Sequence, residues 1–105
     1  MRVWLDDLRE APAGWVRVTR PEEAIELLRT GEVDAISLDH DLGLLDGERE
    51  LTGYDVVTWI ERAVATEGFV PLATIRVHSA NASAAPKMER GIEAIRRLAG
   101  RLREP

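Results

Sequence analysis

The sequence predicts an α/β fold: an open parallel sheet of four strands with helices on both faces. Short apolar runs recur along the chain, the stretches between them switch to a helical period, and the third run is apolar on both of its faces. A strand of that last kind belongs in the middle of a parallel sheet covered by helices. Alternation of strand and helix with right-handed crossovers builds such a sheet.

"RVWL" (2–5) is the first strand, ended by Asp6 and Asp7, and "WVRV" (15–18) is the second. From Thr19 the period changes. Thr19 and Glu22 have capping-box spacing, Pro21 suits a first turn, and Ala24, Ile25, Leu27 and Leu28 form the stripe of a helix ending at Gly31. "DAISL" (34–38) is the third strand, followed by a long polar loop. Thr52 and Asp55 then open a second helix, with Val56, Val57, Ile60, Ala63 and Val64 inward and an end at Gly68. "ATIRVH" (73–78) is the fourth strand, and the last helix runs from about Pro86 with Met88, Ile92, Ile95, Leu98 and Leu102 along one side.

At 105 residues the chain is expected to be one domain, residues 1–105, around a single core. With 45% hydrophobic and 31% charged residues it has the composition of a globular protein, and the absence of cysteine rules out a disulfide framework or a thiolate metal site. No apolar stretch approaches the roughly 20 residues of a membrane span, and the N-terminus has no signal-peptide core, so a cytoplasmic location without a membrane partner is expected. The net charge of -5 argues against a long nucleic-acid surface, but not against a short RNA end or a nucleotide.

In an open parallel sheet, ligands bind beyond the carboxyl ends of the strands. Strand one ends in Asp6-Asp7, strand three in Asp39-His40-Asp41, and strand four in His78-Ser79-Ala80-Asn81. Acid, imidazole, hydroxyl and amide therefore gather at one edge. Asp and Asn also cap loops at such places, yet three successive strand ends of this kind point to a site. Adjacent carboxylates call for a cation or an arginine, and Arg9 either binds phosphate or neutralises them. The only two histidines, His40 and His78, both fall here and suit proton transfer near neutrality.

An acidic pair after strand one, Asp39 after strand three, Thr52-Gly53 opening the next helix and Ser79 after strand four resemble the response-regulator receiver, a flavodoxin-like fold. "LDDLREAPAGW", "SLDHDLG", "TGYDVVTWIE" and "VHSAN" narrow the resemblance to the cyclic-phosphate-processing receiver domains. It implies a truncated sheet of order 2-1-3-4, lacking the first helix and the fifth strand and helix. "LGLLDGEREL" is then an insertion over the site, and Lys87 has no role assigned by motif.

The resemblance further implies a metal-dependent phosphoesterase or phosphotransferase acting on a small cyclic phosphate or an RNA 3′ end. Asp6, Asp7 and Asp39 would hold Mg²⁺ or Mn²⁺; Asp39, His40, Asp41 and His78 would be catalytic; Arg9, Ser79 and Asn81 would bind phosphate. The alternative is a degenerate receiver that is phosphorylated at Asp39 or binds a partner. A fourth strand without a fifth leaves an open edge, so either a homodimer through strand four and the last helix or a cover by the C-terminal "RLREP" is expected.

Overall fold

The computed structural model describes residues 1–103. In chain order the elements are β1 (Arg2–Leu5), β2 (Trp15–Val18), α1 (Pro21–Arg29), β3 (Ala35–Leu38), β4 (Asp41–Asp46), β5 (Arg49–Thr52), α2 (Tyr54–Thr66), β6 (Thr74–Val77) and α3 (Ala84–Arg103). The parallel sheet has the order β2-β1-β3-β6, which is the predicted 2-1-3-4 with β6 as its fourth member.

Strand alternation divides the sheet's side chains into two sets. Val3, Leu5, Val18, Ile36, Leu38 and Ile75 enter the hydrophobic core together with Ala24 and Leu28 of α1, Val57 and Ile60 of α2, and Met88 and Ile95 of α3. The helices form one layer, α1 against α2 and α2 against α3. Helices on both faces were expected; among the described residues all three lie on one. The two crossovers that carry a helix, β2 to β3 and β3 to β6, run in the same direction along the sheet, and right-handed connections of one direction fall on one face; β1 to β2 runs the other way without a helix. The opposite face carries Trp4, Arg17, Ser37 and Arg76 in one cross-strand row, none of them in that core.

The segment read as a polar loop is a second correction. Residues 41–52 fold into an antiparallel hairpin, β4 with β5, in which Asp46 pairs with Arg49. Gly47 takes a φ of 64°, as the first residue of a two-residue hairpin turn of this class requires. Only Leu42 and Thr52 of the two strands are buried, so the hairpin stands out from the body.

Helix starts differ in detail from the capping signals. The Thr19 hydroxyl and backbone N–H both reach Glu23 Oε1, at 3.3 Å each, and Arg20 is the residue before the helix. At α2 the expected pair does meet, with the Thr52 N–H donating to Asp55 Oδ2 at 2.9 Å. The last helix starts at Ala84, two residues before Pro86. The first residues of "RLREP" prolong α3, while residues 104 and 105 lie outside the described residues.

Gly53, between the hairpin and α2, fixes how closely the site approaches the helix. A methyl group there would drive into the backbone carbonyl of Asp39, far inside van der Waals contact. Gly100, inside α3, faces open space. Chemical denaturation should therefore separate the two: Gly53→Ala is expected to cost at least the roughly 1–3 kcal/mol typical of overpacking, and Gly100→Ala to stabilise by roughly 0.5–1 kcal/mol.

Candidate metal and phosphate site

Asp6, Asp39 and His78 continue the phase of the Trp4–Ser37–Arg76 row, each two residues further along its chain, so they leave the sheet side by side. One oxygen each of Asp6, Asp7 and Asp39 lies within 4.8 Å of the others. Asp6 has no exposed surface, Asp39 is buried, and Asp7 carries a buried Oδ1 without a hydrogen-bond partner among the described residues. An unpartnered buried carboxylate oxygen is costly. Three hard oxygens, one from each acid, fit a divalent cation such as Mg²⁺ or Mn²⁺.

Asp6 is held from four directions. Its Oδ1 accepts the backbone N–H groups of Leu8 and Arg9 at 2.8 and 2.9 Å, while Oδ2 accepts from His78 Nε2 at 3.0 Å and Arg9 Nη1 at 3.3 Å. Burial alone would push this carboxyl up; the two backbone donors and His78 outweigh it and hold Asp6 below its ordinary value. Behind His78, Arg76 Nε donates to Ser37 Oγ at 3.3 Å and Ser37 Oγ meets His78 Nδ1 at 2.7 Å. The hydroxyl that accepts from Arg76 donates to Nδ1, which makes Nε2 the protonated nitrogen of a neutral imidazole. Burial lowers the pKa of His78, against the pull of Asp6, in keeping with that form. Its ring also stacks on Trp4, with centroids 3.7 Å apart and planes within 6°.

Asp39 moves the other way. Burial, then the charge of Asp6, raises its pKa, with the His40 N–H on Oδ1 at 2.9 Å offsetting only part. Gly43, in the hairpin, has Asp7 Oδ2 as the neighbour a side chain would meet, at 3.5 Å, so the insertion does lie against the acids.

A second group forms beside the hairpin. His40 Nδ1 bonds Asp41 Oδ1 at 2.8 Å, and that contact lowers the Asp41 pKa. Asn81 Nδ2 reaches both Asp41 oxygens at 3.3 Å. Asn81 Oδ1 accepts the N–H groups of Ser83 and Ala84 and the Ser83 hydroxyl, capping α3. Read as a phosphate ligand, Asn81 is in fact committed at both ends of its amide. Ser79 Oγ accepts the Asn81 N–H at 3.0 Å and keeps its own hydrogen for a ligand. Arg9 spends one nitrogen on Asp6 and on the His78 carbonyl, and its half-exposed side chain keeps the others. A cleft of ≈ 410 Å³ opens on this side, lined by His40, Tyr54, Asp55 and Lys87 among others.

Three contributors escaped the sequence reading. Arg17 Nε and Nη2 donate to the backbone carbonyls of Asp6 and Asp7, at 3.1 and 2.6 Å, and lock the acidic turn. Ser37 and Trp4 fix the His78 ring. Their only signal is cross-strand register, which a single sequence does not display.

The family model described as the cyclic-phosphate processing Receiver domain matches residues 1–94. The chain belongs to that family. Searches of curated proteins and of solved structures gave no match. Membership agrees with the observed sheet order and with acids at the ends of β1 and β3. No helix among the described residues is long and apolar enough to cross a membrane.

The two central acids contribute to stability with opposite signs. Asp6, titrating below its ordinary value, stabilises the fold above the usual carboxylate range, and that contribution is lost as the pH falls through its lowered pKa. Asp39, titrating above, contributes below the usual range and loses that contribution as the pH rises through its raised pKa. In chelator at neutral pH, Asp39→Asn should therefore melt higher than the parent chain. With Mg²⁺ or Mn²⁺ the parent should gain melting temperature and the variant should not. An equal metal response in both would remove Asp39 from the metal shell.

Proposed function

We propose that this receiver domain is a metal-dependent phosphoesterase or phosphotransferase that opens a cyclic phosphate carried on a nucleotide or an RNA 3′ end. The convergence of Asp6, Asp7 and Asp39, one of them with a buried oxygen that has no partner among the described residues, next in sequence to His40 with its Nε2 free of the Asp41 bond, carries the reading. Mg²⁺ or Mn²⁺ held by these three carboxylates would polarise the phosphoryl group.

His40 supports the role of proton carrier. Asp41 takes the Nδ1–H, leaving the Nε2 lone pair to accept a proton from the attacking water and return it to the ribose oxygen as the P–O bond breaks. Asp41 orients the ring and offsets the charge that forms. His78, assigned a catalytic role from sequence, has both nitrogens engaged and is better read as the group that positions Asp6. The nitrogens of Arg9 not spent on Asp6 and the Ser79 hydroxyl would donate to phosphoryl oxygens. A phosphorelay receives less support: the only lysine, Lys87, stands on α3 and lines the His40 cleft, not the end of a sheet strand.

The test is turnover of nucleoside 2′,3′-cyclic phosphates and RNA 2′,3′-cyclic ends with and without Mg²⁺ or Mn²⁺. His40→Ala should lower the rate by roughly 10²–10⁴, with partial recovery in added imidazole, while retaining the metal-induced rise in melting temperature. His78→Asn should instead weaken that rise. No metal-dependent turnover on any cyclic phosphate would refute the reading.

A further inference from the structure

The sheet face that no helix covers has a composition unlike the rest of this acidic chain. Strand alternation and register place Arg2, Trp4, Trp15, Arg17, Ser37, Thr74 and Arg76 on it, with no carboxylate among the strand residues. Arg2, Arg17 and Arg76 are all exposed. The partners of Arg17 are backbone carbonyls and that of Arg76 is the Ser37 hydroxyl, so hydrogen bonding orients both guanidinium groups without cancelling their charge. Arg2 enters no ion pair among the described residues.

The aromatic part is arranged with these charges. Trp15 meets Trp4 edge to face at 6.1 Å, and the Arg76 guanidinium lies 4.9 Å from the Trp15 ring centre. Trp15 is partly exposed. The face is continuous with the acidic site: Arg17 holds the Asp6-Asp7 backbone, Arg9 stands on Asp6, and Trp4 stacks on His78. Guanidinium groups interleaved with indoles recognise a chain of phosphates and bases.

We propose that this uncovered face is a platform for a short single strand of RNA, whose terminal cyclic phosphate enters the carboxylate site. Arg2, Arg17 and Arg76 meet backbone phosphates, and Trp15 with Arg76 offers a stacking surface to a base. Four strands at about 4.8 Å spacing and four residues at about 3.3 Å give a face of about 14 by 10 Å between outermost backbone positions. The four-stranded sheet of RNA-recognition motifs, antiparallel but also four strands wide, stacks roughly two or three bases. The platform therefore agrees with the chain's net charge of -5, which disfavours long nucleic acid. The inference rests on the proposed function for its choice of terminus, but the platform itself is tested by binding alone.

The experiment is a binding titration in Mg²⁺ with RNAs of one to four nucleotides ending in a 3′-phosphate, over a series of salt concentrations. Affinity is expected to rise with length by about tenfold or more, the scale of one base–aromatic stack, and the gain should shrink as salt increases. Arg2→Glu and Trp15→Leu, each first checked for an unchanged metal-induced shift in melting temperature, should each lose most of the length-dependent gain. Arg2 has no structural partner to lose, so it keeps the test open if Trp15→Leu folds poorly.

Affinity independent of length, or a gain that survives both variants, overturns the platform. So does a dimer in light scattering that Trp15→Leu dissociates, which would give the face to a second copy of the chain. Length-dependent binding without metal-dependent opening of any cyclic phosphate would leave the platform standing and remove the catalytic reading. Turnover of mononucleotides without a length effect would do the reverse.

Discussion

The Asp6 carboxylate has no contact with solvent, and the carboxyl end of the sheet is arranged around keeping it ionised there. Burying a charge is tolerable only when hydrogen bonds replace its water. Two come from the backbone just after β1, so the turn at residues 7–9 has one usable shape. The third comes from a histidine that arrives from β6, on the other side of β3. Asp39 then lies beside a carboxylate that stays charged, and its own raised pKa follows from burial and then from that neighbour. The acidic cluster is thus a pair of unlike carboxyls, one held charged and one pushed towards its neutral form, with Asp7 between the exposed loop and the buried pair.

Two departures from a complete doubly wound sheet shape everything outside this cluster. One face has no helix, so its side chains pack on one another: Trp15 against Trp4, Arg76 against Trp15, and His78 against Trp4. The other departure is the hairpin of residues 41–52, inserted where β3 meets α2. It begins at Asp41, so the residue that orients His40 is also the first residue of the hairpin. Gly53 returns the chain so close to Asp39 that the hairpin and the acid cannot be displaced independently.

Much of this was legible in the sequence because the relevant signals are local. The four sheet strands appear within a residue of their predicted ends, since each is a compact apolar run bounded by turn formers. The convergence of Asp6, Asp7 and Asp39 follows from strand order alone. The hairpin escaped because "LGLLDGEREL" buries little and has no sustained alternation; its one signal was Asp46-Gly47, a hairpin dipeptide. The hydrogen-bond partners of His78 and Asn81 escaped for a different reason. Whether an imidazole faces a ligand or a serine depends on the strand beside it, and Ser37 is 41 residues away. The one-sided helix layer was available in principle, because both helix-bearing crossovers run in the same direction, and handedness then fixes the face.

The indole of Trp4 lies flat on the imidazole that supports the buried acid. An excited indole donates an electron to a protonated imidazole far more readily than to a neutral one, so protonation of His78 would quench Trp4. The other two indoles are close to guanidinium groups that do not gain or lose protons, Trp15 to Arg76 and Trp59 to Arg29. The Trp4 ring is joined through one imidazole to the buried carboxylate, and its fluorescence would follow the charge on His78.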